Sequence, residues 1–333
     1  MTERIVTAFA PATVSNVACG FDVLGFALEA PGDEVTARFA PPGTNAASPV
    51  SPVNNVNNVN NVSIDAITGD NARLPLDALR NTAGVAAQAL LTALGERRSV
   101  VLSIAKGLPL ASGLGGSAAS AAAAVVAVDA LVEAHAPLEM LIACAIEGEG
   151  LGVRSAHPDN IAPALCGGFV LVRHPDPPDI VRLPVPAGLM AVVVHPDLEI
   201  ETAKARALLG TTVLLSDAIR QWANLGALVD GLHRGDFALI SRALEDNIAE
   251  PRRASLVPGL AEIKRAAVDA GALGCSLSGS GPSLFALCRG GDTARRVADA
   301  MTRAVKTHIG GEPQTYVSAI APQGARVVSS CAS

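Results

Sequence analysis

The chain has 333 residues, of which 50% are hydrophobic and only 3% aromatic, and its formal net charge at pH 7 is −6. This length allows two domains, and the scarcity of aromatic residues means that Ala, Val, Leu and Ile must fill the core. The acidic balance argues against nucleic acid as a partner, because neutralising phosphates requires a basic surface. An anionic ligand would therefore need a local cationic pocket.

Cysteine usage and hydropathy favour a reduced protein that does not span a membrane. The six cysteines lie far apart and form no C-x-x-C pair, so we expect a reducing cytoplasm rather than a disulfide framework. The first residues lack the apolar stretch of a signal peptide. The uncharged stretch 107–128 contains one Pro, four Gly and three Ser, a poor composition for a membrane span.

The spacing of apolar residues predicts an α+β chain. In its first half the predicted elements are strands over 4–16, 33–39 and 62–69, a helix over 79–94, a strand over 99–107, helices over 117–134 and 137–151, and a turn leading into a strand over 157–172. The second half adds a strand over 188–196, helices over 201–209, 215–232 and 258–271, a strand pair over 275–288 and a helix over 295–309. The helix over 117–134 has the clearest signal, because Ala, the best helix former, dominates it.

Residues 41–62 interrupt this pattern. They contain four Pro and a repeated Asn-Asn-Val unit, without strand or helix periodicity. Such low-complexity composition is typical of a loop that has no packed core. We therefore expect the segment to be poorly ordered and dispensable.

The stretch GLPLASGLGGSAAS, residues 107–120, has the composition of a phosphate-binding loop that precedes a helix. It lacks the Lys of the G-x-x-x-x-G-K-[ST] loop. Backbone N–H groups at a helix N-terminus bind an anion without a lysine, and Gly113, Gly115 and Gly116 would let the backbone approach a phosphate. The same glycines would equally serve a structural helix cap, and spacing alone does not separate the two interpretations.

Three stretches together resemble the signature motifs of the GHMP kinases, a family that phosphorylates small molecules. They are PATVSNVACGFDVLGFAL (11–28), PLASGLGGSAASAAAA (109–124) and SLSGSGPSLFAL (276–287), and they occur in the family's order over nearly the whole chain. Further features are similar to the branch of the family that phosphorylates homoserine: the spacing from Asn16 to Asp22 and the stretches 157–168, 201–209 and 246–253.

The resemblance implies an α+β fold of two domains with ATP bound between them. A domain like domain 2 of ribosomal protein S5 would span residues 1–166, and a ferredoxin-like domain would span residues 167–333. The resemblance also implies ATP and Mg²⁺ as cofactors and L-homoserine as the small-molecule substrate. We further expect a homodimer, whose interface the sequence does not define.

The family's nucleotide contacts match one set of positions in this chain: Asn81, Lys106, Pro109, Gly113, Leu114, Gly115, Gly116, Ser117 and Ala118. Ser117 and Glu149 match its Mg²⁺ ligands, and one carboxylate with one hydroxyl suffices for an ion that keeps several waters. Lys106 and Mg²⁺ would supply positive charge beside the loop. Many relatives read GLGSSAA where this chain reads GLGGSAA, so the backbone amide of Gly116 would replace a serine there.

The substrate contacts match a second set of positions: Asn16, Asp22, His157, Thr202, Arg206 and Arg253. A guanidinium meets a carboxylate bidentately, so Arg206 and Arg253 suit the carboxylate of homoserine. Asp22 and Asn16 would bind its amine and orient its hydroxyl.

Asn160, Glu149 and Ser117 are the expected catalytic residues. Asn160 stands near the place where mevalonate kinases have an aspartate base. The acceptor proton would then pass directly to the phosphate, with catalysis by positioning and electrostatics.

Two other functions stay open on the sequence alone. Another GHMP kinase could act on mevalonate or a sugar, although two arginines do not suit a neutral sugar. A sensor with this fold would bind its ligand without turnover, which the presence of Ser117, Glu149 and Asn160 disfavours. The sequence has no H-E-x-x-H or G-x-S-x-G motif that would indicate a metalloprotease or a serine hydrolase.

Overall fold

The computed structural model describes residues 4–41, 61–150 and 158–332. Most of the predicted loop 41–62 and the predicted substrate residue His157 therefore lie outside the described residues. The end of that loop is described: Asn61 is buried and donates its backbone N–H to Gln88 Oε1, and the buried Val62 begins a strand. The expectation of poor order is thus wrong for residues 61 and 62.

The described residues form eleven strands and ten α-helices. The strands are β1 (Arg4–Val17), β2 (Gly20–Phe39), β3 (Val62–Thr68), β4 (Val100–Ala105), β5 (Phe169–Pro175), β6 (Pro178–Leu183), β7 (Leu189–His195), β8 (Gly274–Leu277), β9 (Leu284–Arg289), β10 (Gln314–Ala319) and β11 (Arg326–Ala332). The helices are α1 (Thr82–Leu94), α2 (Gly116–Val132), α3 (Leu138–Glu149), α4 (Pro158–Cys166), α5 (Thr202–Ala207), α6 (Leu215–Arg234), α7 (Phe237–Ala243), α8 (Ala249–Arg253), α9 (Leu260–Asp269) and α10 (Gly291–His308).

Seven strands form the first sheet, in the order β11-β1-β2-β4-β3, with β5 paired to β2 and β6 paired to β5. Only β3 and β4 are parallel neighbours in it. The long strand β2 has several partners, because residues 34–39 pair with β4 and residues 24–26 pair with β5. The tight connection from β1 to β2 lies within the first sequence motif.

The second sheet has the antiparallel order β10-β7-β9-β8, and α9 and α10 pack on it. Along the chain its elements run β7, α9, β8, β9, α10, β10, which is the βαββαβ order of a ferredoxin-like domain. The expected ferredoxin-like fold is thereby confirmed. The helices from α5 to α8 are inserted between β7 and α9.

Sheet membership does not follow the predicted division after residue 166. Strands β5, β6 and β11 come later in the chain and still belong to the first sheet, where β11 pairs with β1. The two sheets distinguish the two structural units, and the boundaries 1–166 and 167–333 stay a prediction.

Helix α2 forms the centre of the first unit. It packs on β1 and β2 and against α1 and α3, and its buried residues are mostly Ala. A helix that is apolar all round belongs in a core, and small side chains let its neighbours approach closely. This helix accounts for most of the uncharged stretch 107–128. Among the described residues, no helix has the length and apolarity that crossing a bilayer requires.

Three of the few aromatic residues join the two sheets. The ring of Phe26 on β2 lies 4.8 Å from that of Phe169 on β5 and 5.9 Å from that of Phe285 on β9, between centroids. Such pairs contribute about 0.5–1.5 kcal/mol each beyond their burial. Because Phe285 belongs to the second sheet, this cluster stabilises the junction of the two sheets.

The stretch 157–172, predicted as a turn before a strand, contains the helix α4. Pro158 suits its first turn, because the missing N–H has no helical partner there. Pro163 disfavours a helix in the sequence, but Ile161 and Leu165 are buried beside it, and this packing outweighs the lost hydrogen bond. The strand predicted over 33–39 is longer than expected, because residues 20–27 also pair with β1, so β2 begins at Gly20. The other predicted elements are found near their expected ends, whereas β6, α7, α8, β10 and β11 have no counterpart in the sequence predictions.

Replacing residues 44–57 by a short Gly-Ser linker should leave nearly unchanged both the stability and the ATP-dependent activity that the family resemblance implies. A doubling of loop length changes closure entropy by only about 0.6 kcal/mol. Thermal unfolding and steady-state kinetics test this expectation. Asn61→Ala is the contrasting variant, because it removes the side chain whose Nδ2 donates to the carbonyl oxygen of Glu96 at 3.4 Å, and it should lower the melting temperature. A large loss of activity in the linker variant would contradict the prediction.

Candidate active site

A cleft of about 380 Å³ lies beside the glycine loop, residues 107–115. The predicted residues that line it are Asn16, Asp22, Asn81, Lys106, Pro109, Gly113, Gly115, Gly116, Ser117, Glu149, Asn160, Thr202, Arg206 and Arg253. Leu114 and Ala118 are instead fully buried and do not line the cleft. The fold thus brings together positions that are more than 200 residues apart in the chain.

The glycine loop requires glycine at two positions. Gly113 and Gly115 have left-handed backbones, with φ of +76° and +66°. A Cβ added to Gly113 would lie 2.5 Å from the carbonyl oxygen of Ser278, and one added to Gly115 would overlap Thr13 Oγ1. Both the backbone conformation and the available space therefore exclude other residues.

Gly116 is under no such constraint. It is the first residue of α2, and an added Cβ would meet Lys106 Nζ at 3.5 Å, an ordinary contact distance. The serine that many relatives carry here would fit this chain, so the departure from the family pattern does not change the loop.

We expect Gly115→Ala and Gly116→Ser to have contrasting effects. A left-handed backbone costs a non-glycine residue about 1–2 kcal/mol, and the Gly115→Ala methyl group must also displace Thr13. Gly116→Ser should change the free energy of unfolding by less than about 0.5 kcal/mol. Urea unfolding and calorimetric titration with MgATP measure both effects; equal losses in the two variants would contradict this account of the loop.

The third sequence motif holds the glycine loop from the second sheet. Ser278 Oγ donates to the carbonyl oxygen of Gly113 at 2.7 Å, and Ser283 Oγ donates to that of Ser112 at 2.6 Å. Gly279 lines the cleft. Sequence analysis recognises this motif but names no site residues in it. The serines that lie between its two apolar strands are a pattern from which these residues could have been predicted.

The N-terminus of α2 is a favourable anion site. No side chain caps it, and Gly116 and Ser117 line the cleft there. A helix of 17 residues places roughly half a positive charge at this end, and its first N–H groups have no intrahelical partners. Of the two interpretations of the loop, the geometry favours phosphate binding.

Lys106 does not direct a free donor into the cleft. Its buried ammonium group donates to the carbonyl oxygen of Gly116 at 2.7 Å and to Ser120 Oγ at 2.9 Å, and it pairs with Asp33. The fully buried carboxylate of Asp33 also accepts the backbone N–H of Gly107 at 3.0 Å. This ion pair therefore fixes both ends of the glycine loop.

Glu149, at the end of α3, is paired on one side only. Its Oε1 accepts a hydrogen bond from Ser117 Oγ at 2.8 Å, whereas its shielded Oε2 has no partner in the described part of the chain. Burial raises the pKa of Glu149 to about 7, and this outweighs the lowering by Ser117 and by the charge of Lys106. An unpaired carboxylate oxygen beside a hydroxyl fits Mg²⁺, which takes oxygen ligands and keeps several waters.

Asn160, on α4, is held by two hydroxyl groups of β1. Its Oδ1 accepts from Thr13 Oγ1 at 2.8 Å, and its Nδ2 donates to Ser15 Oγ at 2.9 Å. Thr13 and Ser15 are buried two residues apart, so both side chains face the same side of the strand. Sequence analysis names neither, although two polar residues alternating on a buried strand are a usable signal.

Asn16 and Asp22 lie on either side of the connection from β1 to β2, with left-handed φ values of +55° and +58°. Asn16 Oδ1 accepts the N–H of Asp22 at 2.8 Å, and its Nδ2 donates to the carbonyl oxygen of Gly279 at 2.9 Å. Strained non-glycine residues of this kind concentrate at functional sites. Behind them, burial and the charge of Asp22 raise the pKa of Asp159 to about 7.

Two arginines from the inserted helices lie beside Asp22. Nη1 of Arg206, on α5, is 2.6 Å from Asp22 Oδ2. Arg253, the last residue of α8, is 3% exposed and donates to the carbonyl oxygens of Ala205 at 3.3 Å and Gly279 at 3.2 Å. The cleft therefore contains two guanidinium groups and one carboxylate within one cluster.

Thr202 and Asn81 complete the predicted set. Thr202 Oγ1 lies 3.4 Å from Ser280 Oγ. Asn81 caps α1, because its Oδ1 accepts the N–H of Ala83 at 3.0 Å, and its Nδ2 donates to the carbonyl oxygen of Pro75 at 3.1 Å. A contact from Asn81 to a nucleotide would use the remaining N–H of its amide.

Two family models match the chain. The GHMP kinases N terminal domain matches residues 81–168, which include the glycine loop, Ser117, Glu149 and Asn160. The GHMP kinases C terminal model matches residues 228–307, which include Arg253.

Whole-chain comparisons point to one branch of that family. The homoserine kinase of Chlorobium phaeovibrioides is 43% identical over 332 residues, covering 98% of this chain and 100% of the relative. The crystal structure of homoserine kinase from Cytophaga hutchinsonii has a TM-score of 0.88 and 45% identity, covering 97% of both chains. The L. major mevalonate kinase in complex with R-mevalonate has a TM-score of 0.67 at 17% identity, covering 93% of this chain and 94% of that chain, a likeness of fold alone.

Proposed function

Because the chain belongs to the GHMP kinase family, among its homoserine kinases, we propose that the cleft transfers the γ-phosphoryl group of ATP to the side-chain hydroxyl of L-homoserine. The enzyme is a phosphotransferase with an alcohol group as acceptor. Its product is O-phospho-L-homoserine, formed in a step of threonine biosynthesis.

The charge pattern of the cleft is the observation that carries this proposal. Asp22 and Arg206 form an ion pair in the free protein, and Arg253 lies beside them. A zwitterionic amino acid has the complementary charges, so its carboxylate would bind the arginines and its amine Asp22. Mevalonate has a carboxylate but no amine, and it would leave Asp22 without a partner from the substrate.

The phosphates of ATP would lie on backbone N–H groups of the glycine loop and of the first turn of α2. Lys106 contributes by fixing the loop through Asp33 rather than by a free donor. Ser117 and Glu149 would hold Mg²⁺, which when bound neutralises charge on the transferring phosphoryl group. The unpaired Oε2 of Glu149 supports this assignment.

Asn160 would orient the acceptor hydroxyl. Its amide is fixed by Thr13 and Ser15, so it can act as a rigid donor or acceptor. Asp159 is buried and does not line the cleft, which makes it unsuitable as a base for the hydroxyl. The acceptor proton would pass to the phosphate, and positioning with electrostatic stabilisation would supply the catalysis.

An ADP-release assay with homoserine, mevalonate, galactose, shikimate and threonine tests the proposal. We expect ADP formation that depends strictly on homoserine. ADP formation with mevalonate or galactose would favour another kinase of the family. Tight ATP binding without turnover on any alcohol would favour a ligand sensor.

The raised pKa of Glu149 predicts a pH dependence of stability. A folded-state pKa of about 7, against the ordinary 4.5, means that the folded protein keeps a proton that the unfolded chain loses between these values. This contribution to stability is therefore complete below about pH 4.5 and disappears as the pH rises through 7. The melting temperature of the ligand-free wild type should fall relative to that of Glu149→Gln between pH 5 and 7, and parallel curves would contradict the prediction.

The cytoplasmic location and the homodimer remain proposals. In the described part of the chain all six cysteines are free thiols, five of them buried, which suits a reducing compartment. Sedimentation equilibrium would measure the oligomeric state directly.

A further inference from the structure

Phe21 is a half-buried aromatic residue that belongs to neither hydrophobic cluster of the described residues. It lies at the start of β2, directly before Asp22. Core packing usually determines where a ring of this size lies, because aromatic side chains bury a large apolar area. The position of Phe21 must therefore depend on other partners.

The partners of Phe21 are the two arginines of the cleft. The Cζ of Arg253 lies 5.2 Å from the ring centroid, and the Cζ of Arg206 lies 5.6 Å from it. Both distances are within the range of about 6 Å in which the negative face of a ring attracts a guanidinium. The other cation–π contacts of the described residues each join one arginine to one ring.

The two guanidinium groups benefit from a partner that does not bind substrate. They carry like charges, and Arg206 adds to the lowering of the pKa of Arg253 that burial causes. Asp22 offsets this repulsion in the free protein through its pair with Arg206. When Asp22 also binds the amine of a substrate, its negative charge offsets the repulsion between the two arginines less. The ring of Phe21 still lies within reach of both guanidinium groups.

We propose that Phe21 is a positioning residue that holds the guanidinium groups of Arg206 and Arg253 together for one substrate carboxylate. It thereby contributes to selectivity for amino alcohols that carry a carboxylate over those that lack one. The inference rests on the proposed function, because it assigns a role in binding the acceptor substrate.

The test compares Phe21→Leu, which removes the ring, with Phe21→Tyr, which keeps it. Phe39→Leu is the matched control, because Phe39 makes the same kind of contact with Arg98, at 4.1 Å, and does not line the cleft. We expect Phe21→Leu to raise the KM for homoserine about 5- to 30-fold, with kcat and the KM for ATP nearly unchanged. Phe21→Tyr should restore most of the affinity, and Phe39→Leu should have no effect.

The amino alcohol without a carboxylate, 3-aminopropan-1-ol, separates this role from a general structural one. Its KM should not change in Phe21→Leu. An unchanged KM for homoserine, an equal rise for both substrates, or a Phe21→Tyr variant no better than Phe21→Leu would each overturn the inference. If Phe21→Leu does not fold, Phe21→Met provides the same comparison. A wild type that releases no ADP with homoserine would refute the proposed function itself, and the inference with it.

Discussion

We expect Glu149→Gln to lower kcat about a hundredfold, because it removes a charge that acts on the transferring phosphoryl group. Glutamine has nearly the same shape and keeps an acceptor for Ser117 Oγ, so the loop geometry should survive. At pH 8 the same change should raise the melting temperature of the ligand-free protein, because burying a charged carboxylate without a partner for Oε2 is costly. Activity and stability should therefore change in opposite directions.

Glu147→Gln is the matched control for this result. Glu147 lies two residues earlier on α3 and is exposed, so its replacement removes the same charge from the same helix. It should change neither kcat nor the melting temperature appreciably. A kcat near that of the wild type for Glu149→Gln at ordinary Mg²⁺ would rule out the assigned metal ligand, and a parallel fall of stability and activity would point to a structural role.

Elements with a local signal could be predicted from the sequence. The run of Ala in α2 and the apolar spacing of α1 and α10 locate these helices within a few residues. By contrast, β11 is an edge strand whose partner β1 lies at the other end of the chain, so no local sequence pattern predicts it. The helix α4 depends on the burial of its apolar side chains, which outweighs the local effect of Pro163.

In the candidate site, too, the sequence predicts which residue types are present but not the contacts that the fold gives them. The motifs identify many of the residues that line the cleft, but the sequence does not reveal which of them already have hydrogen-bond or ion-pair partners. Lys106 illustrates this: its charge suggests a phosphate contact, yet Asp33, 73 residues away, and two other acceptors occupy its ammonium group. The contact of Thr13 with Asn160 is likewise a consequence of tertiary packing.

The substrate arginines differ in their surroundings, and this affects how their replacement is interpreted. The half-exposed Arg206 contacts Asp22, whereas the buried Arg253 also donates to two backbone carbonyl groups. Arg253→Ala should therefore lower stability as well as substrate affinity, because it leaves these acceptors unpaired. A substrate that lacks the carboxylate is needed to separate the two effects.

If both arginines bind the carboxylate of homoserine, each change to Ala should cost about 2–5 kcal/mol in kcat/KM, because the substrate anion is left under-paired. The KM for ATP should scarcely change, and Lys should restore only part of the loss, because a point charge does not reproduce the bidentate fork. Lys204→Ala, which removes an exposed charge from the same helix as Arg206, is the control and should have little effect.

The amino alcohol without the carboxylate should already be a poor substrate, and the arginine changes should affect it little. Measuring both substrates on each variant forms a double-mutant cycle. Equal losses on the two substrates would show that the arginines act on the fold or on the nucleotide rather than on the substrate carboxylate.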